Sequence, residues 1–202
     1  MSEKLHIIPH DHEIEVNDRR KLHGHDSLVI WFVGLSGSGK STLANALEKR
    51  LYERGIATYI LDGDNIRSGL NKDLDFSEES RRENIRRIGE VAKLMVDAGV
   101  VTITAFISPF KEERDMVRQL VGDKRYLLVY VDCPLEECEK RDVKGLYAKA
   151  RRGEISNFTG INSPFETPQN PFVTVKSAEM SIDEATDMIY NKIEPLLKRS
   201  EQ

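Results

Sequence analysis

Cysteine is scarce in this chain. Cys133 and Cys138 are the only two, too few for a disulfide framework and wrongly spaced for a C-x-x-C pair. A reducing cytoplasm is the compartment this usage predicts. No apolar run approaches the ~18 residues of a membrane-crossing helix, which argues against a membrane partner. The start, Met1-Ser2-Glu3-Lys4-Leu5-His6, lacks the basic-then-apolar pattern of a secretory leader. Strong charge is missing too: a net charge of −4 argues against a binder held to nucleic acid by phosphate contacts. Internal repeats and low-complexity tracts are absent. Histidine does not occur beyond residue 25. His6, His10, His12, His23 and His25 all lie in a polar opening segment. H-x-H pairs can bind metal, but no third ligand converges on them, so residues 1–27 are expected to form an arm packed on the surface.

What is present describes one domain. The 202 residues are 39% hydrophobic and 32% charged, enough for a substantial core without staples. Cations cluster locally, as Arg81, Arg82, Arg86 and Arg87, and as Lys140, Arg141, Lys144, Lys149, Arg151 and Arg152. On a mildly acidic chain such groups suit a compact polyanion better than a long polymer, or else form solvated helix faces.

The most specific stretch is Gly34-Leu35-Ser36-Gly37-Ser38-Gly39-Lys40-Ser41, a full G-x-x-x-x-G-K-[ST] signature continued by Thr42. The apolar run 28–33 precedes it, and Leu43, Leu47 and Leu51 follow at helical spacing. Strand, glycine loop and helix in that order distinguish a phosphate-binding P-loop from a Gly/Ser turn. Its amides and helix N-terminus converge on phosphate oxygens. Lys40 reaches the β- and γ-phosphates of a nucleoside triphosphate, and the Ser41 hydroxyl ligates Mg²⁺.

From residue 28 strand and helix alternate, which predicts a three-layer α/β fold around a parallel sheet of about five strands. Residues 28–202 form the P-loop domain in this reading. Strands are expected at Ala57–Leu61, Val100–Phe106, Tyr126–Val131 and, more weakly, Phe172–Val175. A long helix starts near Ser77, buries Ile85, Ile88, Ala92 and Met95, and ends at Gly99. Arg81 and Asn84 continue that stripe into the first turn, so the helix emerges from the core into a pocket. Pro134 favours a helix start, and Ser181-x-x-Glu184 is a capping box for a C-terminal helix that Pro195 should kink or interrupt. Residues 144–171, rich in Gly and Pro with a short helix over Leu146–Arg152, are too long for a connector and read as a mobile lid.

The loop alone does not choose among GTPases, motor ATPases and small-molecule kinases. Asn71-Lys72-Asp73-Leu74 imitates the guanine motif N-K-x-D, but its aspartate comes one position early and no strand precedes it. Carboxylates at a strand end and a basic mobile segment suit a kinase for a small acceptor.

Five further blocks narrow this: residues 61–67 (LDGDNIR), 84–91 (NIRRIGEV), 106–109 (FISP), 144–147 (KGLY) and 157–161 (NFTGI). In identity, order and spacing they resemble the adenylylsulfate kinases (APS kinases), over nearly everything from about residue 12 onward. That resemblance implies a nucleotide-kinase-like fold that uses MgATP to phosphorylate the 3′-hydroxyl of adenosine 5′-phosphosulfate (APS). It places Asp62 near Mg²⁺ and the acceptor hydroxyl, with Asp64 in the metal's water shell; the bland alternative is an Asx turn capping the next helix. It gives Arg67, Arg81 and Asn84 to the phosphosulfate and its nucleotide, as forked guanidinium donors suit. Phe76 and Phe165 match aromatics that stack on the acceptor adenine, and Ile107 and Ser108 match the substrate-contacting strand end. Lys144 and Lys149 match lid lysines, and Arg141 a residue flanking the ATP adenine.

Ser108 is cast in this family as a phosphoenzyme nucleophile. An attacking serine needs an adjacent base, and no histidine or lysine dyad is evident, which favours direct in-line transfer. Ser68, Asp75, Asn162-Ser163 and Phe165 depart from the family's usual residues. The resemblance further implies a homodimer and an association with ATP sulfurylase. The competing readings are a kinase for gluconate, shikimate or a nucleoside monophosphate, and a non-catalytic ATP-binding module.

Overall fold

A computed structural model describes residue 10 and residues 12–198. Five strands form one parallel sheet: β1 (Val29–Val33), β2 (Thr58–Asp62), β3 (Val101–Ala105), β4 (Tyr126–Asp132) and β5 (Val173–Lys176), in the order β2-β3-β1-β4-β5. The strand expectations hold to within a residue or two. Among the described residues eight helices surround the sheet: α1 (Val16–His23), α2 (Lys40–Tyr52), α3 (Gly63–Ser68), α4 (Glu78–Asp97), α5 (Lys111–Val121), α6 (Leu135–Arg141), α7 (Leu146–Arg151) and α8 (Ile182–Leu197).

The central strand explains the layers. Every residue of β1 is buried, as a parallel strand covered on both faces requires. Because side chains alternate along a strand, Leu28, Ile30 and Phe32 enter one core with Leu43, Leu47 and Leu51 of α2 and Ile189 and Ile193 of α8. Val29, Trp31 and Val33 enter the other, with Ile85, Ile88, Ala92 and Val96 of α4 and Val117 of α5. The stripe on α4 ends on Val96 rather than Met95, which is only half-buried. Gly89 lets α5 approach closely: a Cβ there would lie 3.1 Å from Val117 Cγ2 and 3.2 Å from Leu120 Cδ2.

The caps follow their chemistry. Ser77 Oγ accepts from the Ser80 N–H at the start of α4, and the Ser181–Glu184 box is complete in both directions. Past α2, left-handed Gly55 donates to Tyr52 O and Ile56 N–H donates to Leu51 O, a Schellman closure. Pro195 does not interrupt α8, which runs through it to Leu197. Only the last turn follows that proline, so few backbone bonds are exposed to its missing donor.

Of the opening segment, α1 packs against α4. Arg19 Nη1 donates to Asp97 Oδ2 at 2.8 Å, and Arg20 Nε donates to Ser27 Oγ, which itself donates to Val96 O. His25 is buried, its Nε2 accepting the Ala57 N–H at 2.9 Å. His6 lies outside the described residues. Among the described residues no cluster of three metal-ligating side chains occurs, and no helix is long and apolar enough to cross a membrane.

Candidate active site

All five strands point the same way, so their carboxyl ends open one crevice beside the central strand. Register brings Asp62 of β2 next to Ala105 of β3, and Val33 of β1 next to Tyr130 of β4. The segments 34–41, 62–67, 106–109 and 132–141 therefore meet around a common centre.

On the donor side the glycines are needed. Gly37 and Gly39 have φ of 73° and 100°, a region costly for residues with a Cβ. A Cβ on Gly34 would meet Val131 O at 2.6 Å, and one on Gly37 would meet Cys138 O at 3.0 Å. Lys40 is buried and its Nζ donates to Leu35 O at 2.6 Å. Burial brings its pKa down to about 8, opposed by Cys138 and Asp62. A desolvated ammonium of this kind gains most when an anion arrives. Ser38 Oγ is fully buried with no hydrogen-bond partner. Arg141 Nη2 donates to Ser177 O at 3.1 Å, and its Nη1 lies 3.5 Å from Ser38 O, so the guanidinium flanks the loop.

Ser41 Oγ donates to Asp62 Oδ2 at 2.8 Å, joining the helix behind the loop to the end of β2. The other oxygen, Oδ1, accepts the Asp64 N–H at 3.1 Å and caps α3. The capping role foreseen as an alternative is thus real, and it leaves the second oxygen free for Ser41. A hydroxyl and a carboxylate are hard oxygen donors of the kind Mg²⁺ takes alongside phosphate and water, so the pair fits the predicted metal position. Asp64 is exposed and pairs with Lys144 across the mouth of the crevice.

Of the residues expected on the acceptor side, Phe165 alone lines the cleft described below; the others have separate partners. Arg67 lies over the Phe76 ring at 4.5 Å and donates to Asp75 O at 3.0 Å. Its pKa is lowered, first by burial and then by the charge of Arg81. Two guanidiniums that repel one another are both relieved by a shared anion. Arg81 Nη2 donates to Asn157 O of the 144–171 segment at 2.6 Å. Asn84 is buried and its Oδ1 accepts from Asn71 Nδ2 at 2.9 Å. Asn71 is therefore a support for α4, and Asp73 is paired with Arg87; the guanine-motif imitation serves structure. Ser108 is 2% exposed, has φ 40°, and its Oγ accepts from Trp31 Nε1 at 3.1 Å. Ile107 is half-buried beside it, and Lys149 is exposed on α7.

The 144–171 segment is folded rather than structureless. Tyr147, Ala150 and Phe158 join Cys133 and Cys138 in a small core, and Tyr147 Oη donates to Ser36 O of the glycine loop at 2.8 Å. Asn162 Oδ1 accepts the Phe158 N–H at 2.5 Å and closes the turn. Phe165 stacks on Tyr130, centroids 6.1 Å apart. Together with Leu35, Ile161 and Thr167 they wall a cleft of about 630 Å³. Tyr130 and Thr167 as cleft residues escaped the sequence reading; Ile161 entered it only as the end of the 157–161 block, and Asn71 only as part of the guanine-motif imitation. Tyr130 has a period-2 strand signal that hides its role, and Thr167 sits between prolines with no periodicity at all.

Comparison with known proteins follows the same line. The family model described as adenylylsulphate kinase matches residues 26–176. A probable adenylyl-sulfate kinase of Halalkalibacterium halodurans is 59% identical over 189 residues, 94% of each chain. The adenylyl-sulfate kinase of Staphylococcus epidermidis is 58% identical over 189 residues, 94% of this chain and 95% of the relative. Among solved structures, the APS kinase of Mycobacterium tuberculosis in complex with AMPPNP and APS has a TM-score of 0.81 at 47% identity. The match covers 84% of this chain and 98% of that one.

Proposed function

The chain belongs to the adenylylsulphate kinase family, and from that premise we propose how its residues perform the family's reaction. The protein is an ATP-dependent kinase of sulfate activation that phosphorylates the 3′-hydroxyl of APS, giving 3′-phosphoadenosine 5′-phosphosulfate and ADP.

ATP lies with its phosphates on the amides of Gly34 to Thr42, its charge met by Lys40 and its base flanked by Arg141. Ser41 and Asp62 would hold Mg²⁺, which would offset the charge on the transferring phosphoryl group. Asp62 also orients the 3′-hydroxyl and accepts its proton. Arg67, Arg81 and Asn84 grip the phosphosulfate end, Phe76 and Phe165 hold the adenine, and Ile107 and Ser108 line the strand end. Lys144 and Lys149 belong to a lid over residues 144–171 that excludes water and limits ATP hydrolysis. The sulfate is recognised as an anion and is not transferred. The observation that carries this assignment is the 2.8 Å contact between Ser41 and Asp62, which aligns the donor loop with the acceptor hollow.

Direct transfer is favoured over a phosphoserine because Ser108 Oγ faces the Trp31 indole N–H, a donor that cannot take its proton. With chirally labelled ATP the expected outcome is inversion at phosphorus; retention overturns direct transfer. MgATP offered with APS, gluconate, shikimate and nucleoside monophosphates should release ADP with APS alone, with a product heavier by one phosphoryl group. Turnover of another acceptor and not of APS would sink the assignment, and no ADP with any acceptor would favour a binding module.

We further place residues 1–27 as an arm on a kinase domain spanning 28–202, working in the cytoplasm without nucleic-acid or membrane partners. Exposed Leu22 and Leu94 on the packed pair α1 and α4 support a homodimer, which a single-species mass near 23.1 kDa by light scattering would refute. Association with ATP sulfurylase is the coupling expected of an enzyme that consumes APS.

A further inference from the structure

Arg114 on α5 is a buried cation beside the cleft that the catalytic assignment leaves without a task. It is 4% exposed, and an arginine held there stays charged, so its donors must be spent on partners. Nη1 donates to Ser108 O at 2.7 Å, and Nη2 donates to Glu166 O at 2.8 Å. The first carbonyl belongs to the left-handed residue that closes the substrate-contacting strand end. The second directly follows Phe165, the aromatic wall of the cleft. Two more bonds complete the joint: Glu166 N–H donates to Pro109 O at 2.9 Å, and Glu166 Oε2 accepts the Lys111 N–H at 2.5 Å.

We propose that Arg114 is a positioning residue for the acceptor: its planar fork holds the Ser108 carbonyl and the carbonyl after Phe165 at a fixed spacing. The strand end and the aromatic wall then move as one body. Arg114 touches neither nucleotide in this arrangement. Its effect falls on the acceptor side alone, because its partners lie at the strand end and the lid rather than on the glycine loop. Lysine cannot replace it, since a single ammonium on a flexible stem does not hold two carbonyls in a fixed plane.

The proposal rests on the APS kinase reading above, and the test separates the two. R114K keeps the charge and is compared with wild type in steady-state assays with MgATP and APS. Loose positioning of this kind costs on the order of 10- to 100-fold. The expected result is a rise of that size in KM for APS with a fall in kcat, while KM for ATP stays within about twofold. A second readout needs no turnover. Trp31 is the only tryptophan, and its indole N–H is bonded to Ser108 Oγ. Releasing the Ser108 loop should therefore shift the emission of R114K to longer wavelength. Unchanged emission together with unchanged KM for APS overturns the proposal, as do equal losses for ATP and APS. Wild type that does not turn over APS overturns the underlying reading instead. If R114K is too unstable to assay, R114Q retains one donor, and the same split between APS and ATP is required of it.

Discussion

The two halves of the crevice are built differently. The donor half is one contiguous stretch, Gly34 to Thr42, whose shape comes from backbone geometry, with Ser38 and Lys40 buried in it and Ser41 and Thr42 exposed. The acceptor half, as proposed, is assembled from Arg67, Arg81, Asn84, Ser108 and Phe165, which arrive from separate elements and are held by hydrogen bonds to other side chains and carbonyls or, for Phe165, by stacking on Tyr130. A backbone cradle depends on conformations that only glycine adopts easily. A side-chain hollow depends on the packing of everything behind it. The first should fail by substitution within the loop, and the second by changes some distance away.

The sharpest way to isolate the donor half is Lys40→Met, which removes the desolvated charge that the proposal assigns to the transferring phosphate. By analogy with loss of a preorganised donor, kcat should fall about 10²- to 10³-fold, while APS binding measured by calorimetry persists. Loss of APS binding as well would mean the halves are not separable. Next in size is Arg81→Ala. A hydrogen bond to a charged group contributes about 1.5–3 kcal/mol, so APS affinity should drop on the order of 10- to 100-fold with ATP affinity retained. Equal losses would contradict its place on the acceptor side.

Gly37→Ala probes the cradle itself. With φ 73° and Cys138 O only 3.0 Å from the added Cβ, we expect about 1–2 kcal/mol of lost stability, read by denaturant titration, and weaker ATP binding. No loss would show that the loop adapts.

The smallest effect concerns the support of the acceptor half. Glu113 of α5 is buried, and one carboxylate oxygen has no hydrogen-bond partner. Burial raises its pKa from 4.5 to about 6, opposed by the Phe110 amide and by Arg114, Arg82 and Arg81. The folded state thus binds more protons than the unfolded between those values, and stability should fall as pH rises from 4.5 to 6, then level. Glu113→Gln should flatten that slope in thermal melts; an unaltered slope would assign it to other groups.

The same contrast explains what could be read in advance. The donor loop was legible because its chemistry is local: strand, glycines, Lys40 and Ser41 are consecutive, and Asp62 ends a recognisable strand. The sheet was legible through its apolar runs, and α4 through its stripe, with Val96 taking the place given to Met95. The acceptor hollow came mostly from the resemblance of short blocks, because no periodicity marks a side chain whose partners are far along the chain. Arg114, Asn71 and Tyr130 carried no local signal of the parts given to them here. Their roles depend on α5 crossing α4 at Gly89 and on β4 lying beside the lid. Within the 144–171 segment only the short helix was legible, because the rest of its order depends on Tyr147 and Phe158 burying with Cys138, a contact between elements.

The alternation of β1 between two cores has a consequence for length rather than identity. Replacing Ile30 by Val alters one core slightly, but deleting a single residue from 28–33 would exchange the contents of both layers and rotate Gly34 away from the crevice. Insertions and deletions should therefore be purged from this hexapeptide far more strictly than conservative substitutions. Its length is the ruler that keeps the catalytic loop in phase with the rest of the molecule.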